Sequence, residues 1–520
     1  MRVLLMAVLA TPAAADVVVP KYIDETETSG IVHAYAGDWE FMTGGGVAAF
    51  DCNGDAKPEL FMAGGTAPSV LYRNDSATGG ALKFTALPSG AEMDRVTGAY
   101  PLDIDSDGKL DLVILRSGED VVMKGDGACH FTRANVAWGF QGRDLWSTAF
   151  SAMWEKGNDW PTLAIGTYID RTQDAFPWGS CTENALYRPK GQAFDMPLAL
   201  KPSYCALSML FTDWNRSGTP ALRVSNDREY YKGGTEQMWH VAPGQPPALY
   251  TAADGWKPLK IWGMGIASTD VNGDGYPDYF LTSMADSKLQ VLAGGPDKAT
   301  FKDIAFATHS IAQRPYTGGD IHPSTGWHAE FQDVNDDGLP DIFVAKGNVS
   351  AMPDFAQKDP NNLMLGQPDG TFVEAGDKAG VASLRQARGA AVVDLNGDGQ
   401  MDIVVVNRNE GAEVWRNSGT GAGGEALGHW LQVALHQDGT NRDAIGAWLQ
   451  LRSKGKLQER EITSGGGHAG GQLGWHHIGL GSSTDAEIRV IWPDGTSSDW
   501  AGVKADGFYD LTKGHPPVAR

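Results

Sequence analysis

Oxygen-bearing side chains recur through this chain in a fixed nine-residue frame. In Asp270-Val-Asn-Gly-Asp-Gly-Tyr-Pro-Asp278 they stand at positions 1, 3, 5 and 9, as Asp270, Asn272, Asp274 and Asp278. The frame returns as Asp103, Asp105, Asp107 and Asp111; as Asp333, Asn335, Asp337 and Asp341; as Asp394, Asn396, Asp398 and Asp402; and as Asp51, Asn53, Asp55 and Glu59. Carboxylate and carboxamide oxygens gathered in one short loop suit a hard divalent cation, which takes six to eight oxygens at about 2.3–2.6 Å; the expectation is Ca2+ at about five sites. A solvated Asp/Asn/Gly turn explains one copy, not five in phase. An EF-hand shares the opening but needs a bidentate Glu at position 12 and flanking helices. Position 12 here is Met62, Ile114, Leu281, Val344 or Val405, inside short apolar runs that read as strands. Each loop is therefore expected to be a strand-to-strand turn clamped by metal, with a structural role, since a catalytic ion needs an open position facing a cleft.

The elements that must carry these loops follow from their spacing. Numbered by first loop position the repeats begin at 51, 103, 154, 213, 270, 333 and 394, which makes seven units. Two are worn. Asp213, Asn215 and Ser217 keep three oxygens but Ala221 loses the ninth position, and the third unit, WEKGNDWPT, has Lys156 at position 3, where its ammonium is expected to replace the ion. Five residues before most loops lies a small residue (Gly46, Gly98, Ala149, Ser208, Gly265, Gly389; His328 in the sixth), as close backbone approach on an inner strand requires. A third strand (SVLYRND, VVMKGDG, NLMLGQPDG, EVWRNSG) and a fourth (KFTAL, HFTRA, TFKDI, TFVEA) complete each unit. Four strands repeated seven times predict an all-β fold, a seven-bladed β-propeller. The seventh unit lacks its own fourth strand, and KYIDETETSGI (21–31) has the missing pattern, so the N-terminus is expected to close the ring.

The unit resembles the FG-GAP or VCBS repeat of integrin α-chain propellers, over roughly residues 30–418, and GMGIASTDVNGDGYPDYFLTS and GWHAEFQDVNDDGLPDIFVAKGNV are similar to the cartilage acidic protein 1 family. The segments NRDAIGAWLQLR, SGGGHAGGQLGWHHIGLG and VIWPDGTSSDW resemble the ASPIC/UnbV domain, departing from its pattern at His468, where an aromatic is usual. The expected organisation is a signal peptide over 1–15, a propeller over 16–418, a Gly-rich linker over 419–428 and a small β-sandwich-like domain over 429–520.

MRVLLMAVLATPAAAD reads as a cleavable secretory signal, and no later apolar run is long enough for a transmembrane helix. The expected compartment is periplasmic or extracellular. Four cysteines permit disulfides there; Cys181 with Cys205 is the preferred pair, with Cys52 and Cys129 forming a second bridge or staying as buried thiols. A formal charge of −22 argues against nucleic acid. No G-x-S-x-G elbow, P-loop or HExxH is present, and the runs TGGG (43–46) and SGGG (464–467) lack the Lys or helix that phosphate binding requires. Three functions follow in order: an exported calcium-binding module for adhesion to a protein or glycan; an enzyme on carbohydrate or another small polar substrate, using the axial funnel or the blade-loop surface; and a metal-handling or redox protein using His468, His476 and His477. Against the last, His476 and His477 are neighbours that a strand points to opposite faces, and His477 reads as a packed core histidine. Trp146, Trp262, Trp327 and His328 fall on inner strands near the axis, where core and channel filling is the stronger reading and the lining of a sugar-binding funnel the weaker.

Overall fold

The computed structural model describes residues 17–173, 180–227, 234–349 and 352–520; the expected signal peptide lies outside them. Seven four-stranded antiparallel units follow one another along the chain. The first consists of Val47–Phe50, Glu59–Met62, Val70–Asn74 and Phe84–Leu87, and the acidic frame falls in the hairpin between its first two strands. The innermost strands of the others are Val96–Leu102, Asp144–Met153, Ala206–Thr212, Gly263–Thr269, Gly326–Gln332 and Ala387–Val393. Each inner strand packs beside the next, and the last lies against the first, so the units close into a propeller. These strands are almost wholly buried, which is why their sequences read as continuous apolar runs rather than as alternations.

The last unit takes its fourth strand from the other end of the chain. Pro20–Asp24 pairs antiparallel with Glu413–Gly421, with Tyr22 opposite Asn417. Tyr22 is buried and its hydroxyl donates to the Met401 carbonyl at 3.0 Å. The third strand of this unit runs to Gly421, so it takes up the first residues of the stretch read as a linker.

Beyond it, two four-stranded sheets face each other. One orders His476–Gly481, His429–His436, Gly507–Thr512 and Val518–Ala519; the other orders Lys456–Glu461, Trp448–Ser453, Asp485–Ile491 and Ala501–Lys504. Leu431, Val433, Leu449, Leu451, Ile478, Ile488 and Val490 fill the space between them, in the same apolar cluster as Tyr100, Leu102 and Phe150 of the propeller. The two parts thus share one core.

Both disulfides are closed, Cys181 with Cys205 and Cys52 with Cys129. The second staples the first acidic loop to the outer turn of the next unit. No helix among the described residues is long and apolar enough to cross a membrane.

Candidate functional site

The five acidic loops share one hydrogen-bond scheme. The position-1 carboxylate accepts the N–H of position 6, from Ala56, Gly108, Gly275, Gly338 and Gly399, at 2.7, 3.0, 2.8, 2.7 and 2.8 Å. The position-9 carboxylate reaches back to the N–H of position 2, from Cys52, Ile104, Val271, Val334 and Leu395, at 3.0, 2.8, 3.0, 2.9 and 2.9 Å. Position 6 has φ of +84, +84, +83 and +86° in the glycine loops and +69° at Ala56, a conformation that only Gly adopts without cost. Backbone sterics and two carboxylates therefore fix the loop, and they aim the remaining oxygens inward.

Three of the loop oxygens, in the second and fifth loops, are unused. Oδ1 of Asp103, of Asp105 and of Asp278 is buried with no hydrogen-bond partner. Asp103, Asp105 and Asp111 each place an oxygen within 4.8 Å of the others. A common cation bonded at about 2.3–2.6 Å spans such a separation, so the donor set fits a hard oxygen-seeking ion. Burial raises the carboxyl groups first and neighbouring carboxylates raise them further: Asp111, Asp278 and Glu59 reach about 8, Asp103 and Asp394 about 6, and Asp333, Asp341 and Asp402 stand well above the usual range. Burial and mutual repulsion favour the protonated form of these groups, and a divalent cation would remove the reason for it.

The worn loops carry charged pairs of the protein's own, but not as the sequence led us to expect. Lys156 is exposed and fills no cage. Its neighbour Glu155 is buried, pairs with Arg188 at 2.6 Å and accepts from the Thr162 hydroxyl, at position 9, at 2.8 Å. In the fourth loop the cation is the loop's own Arg216, and the C-terminal domain supplies carboxylate partners. Glu461 accepts the Asp213 N–H at 2.7 Å and the Thr212 hydroxyl at 2.8 Å, while Arg216 pairs with Glu459 at 2.6 Å. The sequence signal for Glu155 was a carboxylate one place out of frame; for Glu461 there was none.

The C-terminal domain sits on the face that carries the loops. His477 contacts Asp336 of the sixth loop at 2.8 Å, Gln432 donates to Asp394 of the seventh at 2.7 Å, Arg442 donates to the Ser106 carbonyl of the second at 3.0 Å, and the Trp475 indole donates to the Ala56 carbonyl of the first at 3.2 Å. His477 is thus a hydrogen-bonded core histidine. The domain also sends residues 464–472 into the propeller axis. Ser464–Gly465 pairs with the third inner strand, Gly466 and Gly467 donate to Met209 and Ile266, and Gln472–Leu473 runs parallel to Ala49–Phe50. A Cβ on Gly46 or Gly98 would lie 1.8 or 1.9 Å from the Ala469 carbonyl oxygen, so the small inner residues are small because this segment passes them. His468 stacks at 5.0 Å on Trp327, accepts the Gly44 N–H and donates its own N–H to His328 Nδ1.

The axis is thus filled: Trp146 and Trp327 are buried core with Trp262 packed against them, and His328 is buried, as core filling requires and an open funnel does not. The three C-terminal histidines are not brought together either, since His468 lies on the axis and His477 on the sixth loop.

Residues 51–114, 270–344 and 333–405 match the family model of the FG-GAP-like repeat, and residues 437–517 match that of ASPIC and UnbV. No curated protein matches the chain. Similar solved structures include BBS1N in complex with ARL6DN, at 8% identity and TM-score 0.43 over 78% of this chain and 98% of that one. An Agrocybe aegerita lectin specific for non-reducing terminal N-acetylglucosamine aligns at 16% identity and TM-score 0.31, covering 75% of this chain and 85% of that one. At such scores these likenesses carry no argument.

Proposed function

The chain belongs with proteins that join FG-GAP-like repeats to a C-terminal ASPIC and UnbV domain, and from that premise we propose that it is an exported, calcium-stiffened propeller acting as a binding or adhesion module for a protein or glycan. The observation that carries this reading is the filled axis: residues 464–472 occupy the place where a propeller enzyme would hold its substrate, which leaves the outer surface for recognition. The five loops bind calcium through the twenty side chains named at positions 1, 3, 5 and 9. The ions stiffen the hairpins and the face on which the C-terminal domain rests, and they do no chemistry. Export is supported by two closed disulfides, which persist in oxidising compartments.

The test is binding by the mature protein, immobilised on a surface, to a glycan array and to purified extracellular proteins, in calcium and after chelation. Saturable binding that weakens on chelation supports the module. Turnover of a substrate without stable binding of any partner would replace it with the enzyme reading.

A further inference from the structure

Beside the axial segment, between the loop face of the propeller and the C-terminal domain, lies a cavity of about 620 Å³, lined by inner strands of the fourth to seventh units and by the first and second acidic loops. That is the size class of small-molecule sites. Its mouth is marked by exposed residues, among them Asp438 and Arg442, and its wall is unusually rich in polar groups with bonds still to make.

On the propeller side, His328 is 4% exposed and its Nδ1 accepts the His468 N–H at 3.1 Å, which puts the ring proton on Nε2. That Nε2 is buried without a hydrogen bond, 3.5 Å from Glu330. Two residues on, Gln332 gives its Nε2 to Glu330 at 3.0 Å and leaves Oε1 buried without a partner. Glu330 is held in place by the Gln472 amide at 2.6 Å and by the Val392 N–H at 3.1 Å. From the C-terminal domain, Arg460 donates once, to the His477 carbonyl at 3.0 Å; its other N–H groups make no hydrogen bond among the described residues. His476 lines the same space and has no side-chain hydrogen bond there either. Burial and Arg460 hold its imidazole neutral, with one donor and one acceptor.

Buried polar groups without partners cost about 1–3 kcal/mol each, so two of them on one cavity wall, His328 Nε2 and Gln332 Oε1, favour something that supplies the partners. The charges say what kind. Where the orphaned atoms lie, Arg460 and Glu330 are close enough to feel each other's field and offset one another; the further acidic lining, Asp51, Asp103 and Glu461 among it, belongs to the loops and their contacts. An anion drawn to Arg460 meets Glu330, and a cation drawn to Glu330 meets Arg460. Hydroxyl groups meet neither objection, because each both donates and accepts. They can take the N–H of Arg460 and His328 while donating to Gln332 Oε1 and Glu330. Leu210, Ile266 and Phe331 supply an apolar wall for carbon-bound hydrogens.

We propose that this cavity is a binding site for a small neutral polyhydroxylated ligand, a saccharide or an acyclic polyol, held between the propeller and the C-terminal domain.

The test is calorimetric titration of the calcium-loaded full chain with D-glucose, maltose and mannitol, with acetate and ammonium as charged comparators. Saturable binding of at least one neutral probe is expected, and the sugar and mannitol arms separate a cyclic from an acyclic ligand. Arg460→Met and Gln332→Leu should each weaken that binding at least tenfold. Gln332→Leu removes an orphaned acceptor without touching a charge, so it remains informative if Arg460→Met fails to fold. No saturable binding by any neutral probe, binding confined to acetate or ammonium, or undiminished binding by folded Gln332→Leu protein would each overturn the proposal.

Discussion

Removing calcium should invert the pH dependence of stability, and the size of the effect follows from buried carboxyls. In metal-free native protein Asp111, Asp278 and Glu59 titrate at about 8, first because burial penalises their charge and then because neighbouring carboxylates repel it. In the unfolded chain such groups titrate near 4. Between those values the native state binds more protons than the unfolded one, so stability falls as pH rises. The slope is about 1.4 kcal/mol per pH unit for each group, or about 4 kcal/mol per unit for three together between pH 5 and 7. Against a total stability of about 5–15 kcal/mol, that is enough to unfold the chelated protein near neutrality. Saturating calcium reverses the sign, because the ion binds the ionised loops of the folded state alone and stabilises it by mass action. The assay is urea unfolding at pH 5, 6 and 7, in excess EDTA and in excess calcium, with metal content checked. A midpoint in EDTA that is flat or rising across this range would refute the argument.

Three further outcomes are expected. Glu155→Gln should destabilise by about 3–5 kcal/mol, because it strands Arg188 beside a neutral group, whereas Lys156→Ala at an exposed site should stay within about 0.5 kcal/mol; chemical denaturation of both variants compares them directly. Ala56→Gly should relieve the left-handed strain at position 6, a cost of about 1–2 kcal/mol, and raise the calcium affinity of the first loop relative to the other four, read by titration at limiting metal. Tyr22→Ala should cost about 3–4 kcal/mol in the melting of the whole propeller, since the ring buries against the last unit; a midpoint within one degree of the parent would mean that the terminal strand does not close the ring.

Much of the propeller was legible because its signals are local and repeated. Asp270 to Asp278 names a turn, the apolar run after it names a strand, and the fixed spacing multiplies both. The N-terminal closure was legible for a related reason: one unit lacked a strand and one stretch had that strand's pattern to spare. The contacts between the two parts were not legible, because they pair residues hundreds of positions apart with no shared period. Gly465, Gly466 and Gly467 carried no signal in the sequence beyond the lack of a phosphate-binding Lys or helix, yet they pair with the third and fourth inner strands and bond to the fifth. Their missing side chains let a backbone thread the axis, a requirement visible only once the inner strands are in place. Lys156 misled for a different reason. The frame assigned it a role by position, whereas burial selected Glu155 next to it.

The fate of the worn loops explains why the C-terminal domain lies where it does. A hairpin that gathers carboxylates must be neutralised by something, and the chain shows two solutions besides an ion. The third loop is neutralised from within the propeller, by Arg188. The fourth carries its own cation, Arg216, whose partner Glu459 comes from the C-terminal domain, while Glu461 receives the amide and hydroxyl hydrogens at the start of the loop. The sixth and seventh loops keep their full acidic frames, yet the same domain still touches them through His477 and Gln432. With calcium bound as proposed, domain and ions would act on one set of hairpins from two sides, the ions holding the loop carboxylates and the domain contacting Asp336 and Asp394. Because the axial segment is continuous with the strands that make these contacts, loosening the loop face also loosens the segment that fills the axis. Mechanical integrity of the ring, occupancy of the loops and seating of the C-terminal domain are then one coupled equilibrium rather than three.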